Sequence, residues 1–84
     1  MVNNWHLIGK VNASSYRKKI LESLSKEPKT PTILEKELDI KFSHISRALK
    51  ELEDMKLIKC LTPELRKNKF YGITELGKEI LEKL

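Results

Sequence analysis

A mainly α fold carrying one small β-hairpin is what this sequence predicts, in the order helix, helix, helix, strand, strand, helix. Three observations point to it. Between positions 42 and 55 the apolar residues Ile45, Ala48, Leu49, Leu52 and Met55 follow the i, i+3, i+4, i+7 spacing that builds one buried helical stripe. Immediately downstream, LIKCL at 57–61 and KFYGI at 69–73 are short runs rich in branched and aromatic residues, the composition of strands. Finally, 84 residues with 39% apolar content leave room for a single domain around one modest core, expected to span 1–84.

Each element has its own local reason. Residues 13–26, ASSYRKKILESLSK, form the first predicted helix, with Ser14 or Ser15 near its cap and Tyr16, Ile20, Leu21 and Leu24 facing inward. KEPKT breaks it, and Lys29 with Thr30 is long enough for a very short strand. Thr30 then caps a second helix over 31–39, with Pro31 at its first position and Ile33, Leu34 and Leu38 along one side. Asp39 stands at the turn, one of the few non-glycine types that visits the left-handed region readily, and Ile40 plugs it. The third helix follows over 42–55. Its helix-turn-helix spacing with the second is that of two short helices joined by three or four residues. The hairpin of 57–73 is connected by TPELRKNK, and Thr74 caps a last helix over 75–83 with Leu76, Ile80, Leu81 and Leu84 on its apolar side. Residues 1–12 remain as an N-terminal extension.

Charge is distributed unevenly. The net charge of +5 comes from 17 Lys and Arg against 12 Asp and Glu. Residues 41–69 hold eight cations against four acids and residues 13–30 five against two, whereas 31–40 and 74–84 are net acidic. A basic face on a mildly acidic remainder steers a protein toward a polyanion. No apolar run approaches membrane-spanning length, and the start MVNNWHLIGK lacks the features of a signal peptide, so a soluble cytoplasmic protein with no membrane partner is expected. A lone Cys60 with only His6 and His44 makes neither a disulfide nor a structural zinc site. Cys60 is expected to pack as a small apolar residue in a strand.

The polar stripe of the third helix is Ser43, Ser46, Arg47 and Lys50, short hydroxyls and long cations suited to base edges and phosphates, with Glu51, Glu53 and Asp54 held back in its second half. The hairpin tip adds Arg66, Lys67, Asn68 and Lys69, donors that reach phosphate or a minor groove when such a tip follows a helix-turn-helix. Taken alone, the tip would be an ordinary solvated turn.

At these residues the chain resembles the winged helix-turn-helix transcriptional regulators, specifically small archaeal members related to the MarR and ArsR groups. The resemblance covers 13–84 and rests on SSYRKKILESL, KTPTILEKELDI, FSHISRALKELEDMKLI and KCLTPELRKNKFYGITELGKEIL. It implies contacts to double-stranded DNA from Ser43, His44, Ser46, Arg47 and Lys50 in the reading helix and from Arg66, Lys67 and Lys69 in the wing. Many members have Ser or Thr where Lys41 stands, leaving Ser43 as an alternative cap, and Gly where Lys56 stands. A lysine forced there to positive φ should cost about 1 kcal/mol. The sensor residues of metal-responsive members are absent, so neither a metal, a cofactor nor a small-molecule effector is expected.

Nothing in the chain has the spacing of catalytic machinery. His44 lies beside Ser43 and Ser46, but neighbours on one helix do not make a nucleophile and base pair, so no enzyme is expected. His44 reads either as a DNA contact or as a partly exposed surface residue, and Phe42 as a packing residue at the helix start. The alternative function is a winged-helix protein assembly module that docks a partner without reading DNA; RNA binding is a third reading. The terminal apolar residues Trp5, Leu7, Ile8, Ile80, Leu81 and Leu84 need cover, from the same subunit or from a partner in a homodimer.

Overall fold

Three short hydroxyl side chains set where helices begin. Ser14, Thr30 and Thr74 each have extended backbone, and their oxygens accept the backbone N–H of Arg17, Ile33 and Gly77 at 3.3, 3.2 and 3.0 Å, satisfying one of the free donors of each first turn. In the computed structural model, which describes residues 4–84, these caps launch α2 (Ser15–Lys26), α3 (Pro31–Leu38) and α5 (Glu75–Glu82). Helix α4 (Phe42–Asp54) starts at Lys41 with no side-chain cap. The strands are β1 (Ile58–Cys60) and β2 (Tyr71–Ile73), antiparallel with Ile58 opposite Ile73 and Cys60 opposite Tyr71.

The N-terminal extension, left without structure by the sequence, contains a further helix, α1 (Trp5–Asn12); residues 1–3 of that extension lie outside the described residues. Helix α1 packs on α2 and α5. Its Val11 enters the core, and Leu7 and Ile8 lie against it, whereas Trp5 is 75% exposed. The mainly α architecture with a small hairpin is thus present, with five helices rather than four among the described residues.

One core serves all elements: Ile20, Leu21 and Leu24 of α2, Leu34 of α3, Ile45, Leu49 and Leu52 of α4, Leu57 and Ile58 around β1, and Ile80 of α5 are buried. Two inward assignments are corrected. Tyr16 and Ile33 are exposed, because each stands at the first turn of its helix, where the apolar stripe runs past the edge of the core.

Both tight turns flanking α4 use a non-glycine residue at positive φ. Asp39 closes α3 with φ 54°. Lys56 follows α4 with φ 66°, and the turn is completed by Lys56 N–H to Glu53 O at 2.9 Å and Leu57 N–H to Leu52 O at 3.0 Å. The latter pattern returns the chain sharply while satisfying the last helical carbonyls. Lysine therefore does occupy the left-handed position, and the two hydrogen bonds offset its steric cost.

Lys29 pairs as the very short strand expected at Lys29–Thr30, whereas its side chain departs from a residue-by-residue reading. Its backbone exchanges two hydrogen bonds with Tyr71, at 3.1 and 2.9 Å, forming the short bridge that ties the α2–α3 connection to the hairpin. Its side chain is buried, with Nζ donating to Ser23 Oγ at 2.8 Å and to Glu37 Oε1 at 2.6 Å, while Ser23 Oγ donates to Glu37 Oε2. A charge buried at 5% exposure is tolerable because the ammonium is paired with a carboxylate and hydrogen-bonded to a hydroxyl.

Candidate nucleic-acid interface

Helix α4 presents two faces because its sequence alternates accordingly. Ile45, Ala48, Leu49 and Leu52 are buried against α2 and α3, while Ser43, Ser46, Arg47 and Lys50 are exposed. Rotating by 100° per residue places Ser43, Arg47 and Lys50 nearest the centre of the outward face. Ser46 and Phe42 lie along its wing-side edge. His44 and Glu51 lie along the opposite edge, toward the start of α2.

That second edge is pinned. Arg17 Nε and a terminal nitrogen reach the two carboxylate oxygens of Glu51 at 3.1 and 3.0 Å, and its other terminal nitrogen donates to Lys10 O at 2.7 Å. A bidentate guanidinium of this kind fixes geometry as well as energy, so one side chain joins α1, α2 and α4. The Tyr16 ring stacks on His44, with centroids 4.9 Å apart and planes at 29°. His44 is therefore half-buried and oriented at the flank of α4.

Beyond β1 the hairpin continues as a long connection. Leu61 N–H to Phe70 O at 2.8 Å and Phe70 N–H to Thr62 Oγ1 at 3.0 Å extend the pairing. At its tip Asn68 adopts φ 51°, and its amide oxygen accepts the Thr32 hydroxyl at 2.9 Å. The wing tip is thereby tethered to the first turn of α3. Arg66 and Lys67 are exposed and Lys69 half-buried. Together with Thr32, Phe42 and Tyr71 they border a groove of about 460 Å³ between the wing and the starts of α3 and α4. The cations of the hairpin and the leading end of α4 thus share one concave surface.

Two of the residues counted in the basic face do not contribute to it. Arg17 and Lys29 are committed to Glu51 and Glu37, and nothing in their local sequence separates them from the exposed Lys19 and Lys26; only the tertiary neighbours do. Phe42, expected to pack, is 47% exposed. Helical spacing places Tyr16 in the core because it falls four residues before Ile20, and the pairing of Thr32 with Asn68 has no local sequence signal.

The two ion pairs make stability depend on acid. Glu37 is held below its ordinary value of 4.5 by the hydrogen bonds from Lys29 and then Ser23, and Glu51 likewise by the hydrogen bond from Arg17. A carboxyl with a depressed folded-state pKa stabilises fully above the unfolded value, and that contribution fades as pH falls through the folded one. Melting temperature should accordingly drop on acidification below pH 4.5, and Glu37→Gln should show a shallower drop. Superimposable pH profiles for the two proteins would remove Glu37 from this account.

A helix-turn-helix followed by a basic hairpin tethered to its first helix defines a winged architecture. The chain belongs to the winged helix-turn-helix family, whose profile matches residues 17–84. Among solved structures it is similar to a MarR family transcription regulator (31% identity, TM-score 0.76, covering 89% of this chain and 51% of that one). It is also similar to the transcriptional regulator BldR from Sulfolobus solfataricus (27%, TM-score 0.74, 90% and 56%). The adhesin competence repressor AdcR from Streptococcus pyogenes shares the fold at 24% identity (TM-score 0.75, 96% and 62%). The chain spans between half and two thirds of the length of these three. No curated protein matches it. Among the described residues, no helix is long and apolar enough to cross a membrane.

Proposed function

We propose that this chain is a sequence-selective double-stranded DNA-binding transcriptional regulator of the cytoplasm, with α4 in the major groove and the wing on the backbone or minor groove. The observation that carries this reading is the single concave surface formed by the leading end of α4 and the wing cations. Ser43, Ser46, Arg47 and Lys50 supply donors to base edges and phosphates, His44 reaches the flanking backbone, and Arg66, Lys67 and Lys69 neutralise phosphates. The family membership and the transcription regulators among its structural neighbours support it. The proposed working form is a homodimer joined through α1 and α5, where Trp5 leaves a large apolar surface exposed; two-fold symmetry would then present two reading helices to one duplex.

In vitro selection of bound duplexes tests this directly. A recovered motif supports base reading, and a palindrome with half-sites about 34 Å apart, or a multiple of it, supports the dimer. Recovery of unbiased sequence would reject selective reading. Replacing Arg66, Lys67 and Lys69 together with Ala should weaken all duplexes by a similar factor and flatten the salt dependence by a slope of roughly 0.9 for each phosphate no longer neutralised. A wild-type slope would reduce the wing tip to a solvated turn.

A second reading has its own observation: Leu61, Leu65 and Phe70 are exposed on the wing, an apolar surface suited to docking a protein. Under that reading the same triple substitution leaves partner binding salt-insensitive and no duplex is selected.

A further inference from the structure

Phe42 is the first residue of α4, and almost half of its surface is open to solvent. Nothing in the core requires a phenylalanine there: the buried stripe of α4 begins at Ile45. A polar or small residue at the first helical position would avoid exposing a large apolar ring. The ring does not stand on a neutral surface either. It borders the groove that contains Arg66, Lys67 and Lys69, so whatever covers it arrives with negative charge alongside. A protein partner would need acidic residues flanking an apolar one, whereas duplex DNA carries both chemistries in fixed register, because the thymine methyl projects into the major groove near the sugar-phosphate wall.

We propose that Phe42 is a specificity-determining residue that reads a thymine by contact with its C5-methyl group; the inference rests on the DNA-reading function proposed above. Its placement fits that task. Phe42 lies at the leading end of α4, on the wing-side edge and one helical turn before the exposed Ser46. When the outward face of the helix lies across the groove floor, an edge residue faces the groove wall, where the methyl sits. The wing cations on the far side of the same groove hold the adjacent phosphates. An apolar ring cannot read a hydrogen-bonding pattern, so the selected feature is the methyl itself, and cytosine, which lacks it, is rejected at that position.

The test uses the whole chain and the duplex recovered by selection, with each thymine replaced in turn by uracil, which deletes only the methyl. Wild-type protein should lose affinity at one position per half-site by about fourfold, the factor expected for one buried CH₂-sized group. Phe42→Ala should bind the thymine duplex more weakly and show no difference between thymine and uracil there, while remaining sensitive to changes elsewhere in the motif. Phe42→Leu, which keeps an apolar side chain, should retain part of the discrimination. Indifference of the wild type to uracil at every position overturns the inference without touching the proposed function, and needs no variant to fold. An equal loss in wild type and Phe42→Ala also overturns it. Failure to recover any preferred duplex rejects base reading altogether, a separate result.

Discussion

Gly77→Ala is expected to destabilise the protein by about 3 kcal/mol, at the upper end of the usual cost of overpacking. A Cβ at this position would stand 2.2 Å from the carbonyl oxygen of Leu57 and 2.7 Å from Cγ1 of Ile73. The nearer atom is backbone and is already held. Leu57 O accepts the Thr74 N–H at 3.0 Å, and the Thr74 hydroxyl donates to Lys56 O at 2.8 Å. The turn that leaves α4 and the turn that enters α5 are therefore clamped face to face, and only a residue without a side chain fits between them. For a domain of this size the total stability is about 4 to 13 kcal/mol, so the loss is a large share of it. Thermal unfolding should fall by roughly 4–8 °C for each kcal/mol. A variant within about 0.5 kcal/mol of wild type would mean that Leu57 and Ile73 yield easily and that the clamp is not rigid.

The double substitution of Arg47 and Lys50 by Ala should have the largest effect on DNA binding. Both side chains are exposed near the centre of the outward face of α4, so folding should change by no more than about 0.5 kcal/mol. A base-contacting arginine contributes about 1 to 3 kcal/mol, roughly a five- to 150-fold change in affinity, and its loss relaxes preference at one base position. Arg47 also lies close enough to Glu51 to lower its pKa, but Glu51 keeps its bidentate partner Arg17, so the helix should stay in place without Arg47. Duplex affinity and base preference measured on the folded variant decide the matter: wild-type values for both would exclude α4 as the reading helix.

The sequence was most legible where one physical rule acts locally. Caps at Ser14 or Ser15, at Thr30 and at Thr74 marked the starts of helices, because a short hydroxyl in an extended residue satisfies the first-turn N–H regardless of what packs above it. The stripe Ile45, Ala48, Leu49 and Leu52 marked the buried face of α4 by period alone. Asp39 marked the left-handed turn. Legibility failed at the edges of the core. Tyr16, Ile33 and Phe42 were expected to pack, yet each stands in the first turn of its helix and is exposed. The helix of residues Trp5–Asn12 was missed because eight residues carry little helical preference of their own and gain it from packing on α2 and α5.

By itself, then, the chain determined the order of its elements from residue 13 onward, most of the buried stripe of each main helix and the stripe of hydroxyls and cations on α4, all of which follow from periodicity and nearest-neighbour sterics. Only the tertiary structure decided which charges remain available and which surfaces meet. It withdrew Arg17 and Lys29 into ion pairs with Glu51 and Glu37, tethered Asn68 of the wing to Thr32, turned Phe42 toward the groove rather than the core, and made a glycine obligatory at position 77. The reason is the same in each case. A buried charge, a tethered loop or a forbidden Cβ depends on atoms about 8 to 36 residues away in sequence, and the chain holds no local signal of a neighbour that only folding brings within reach.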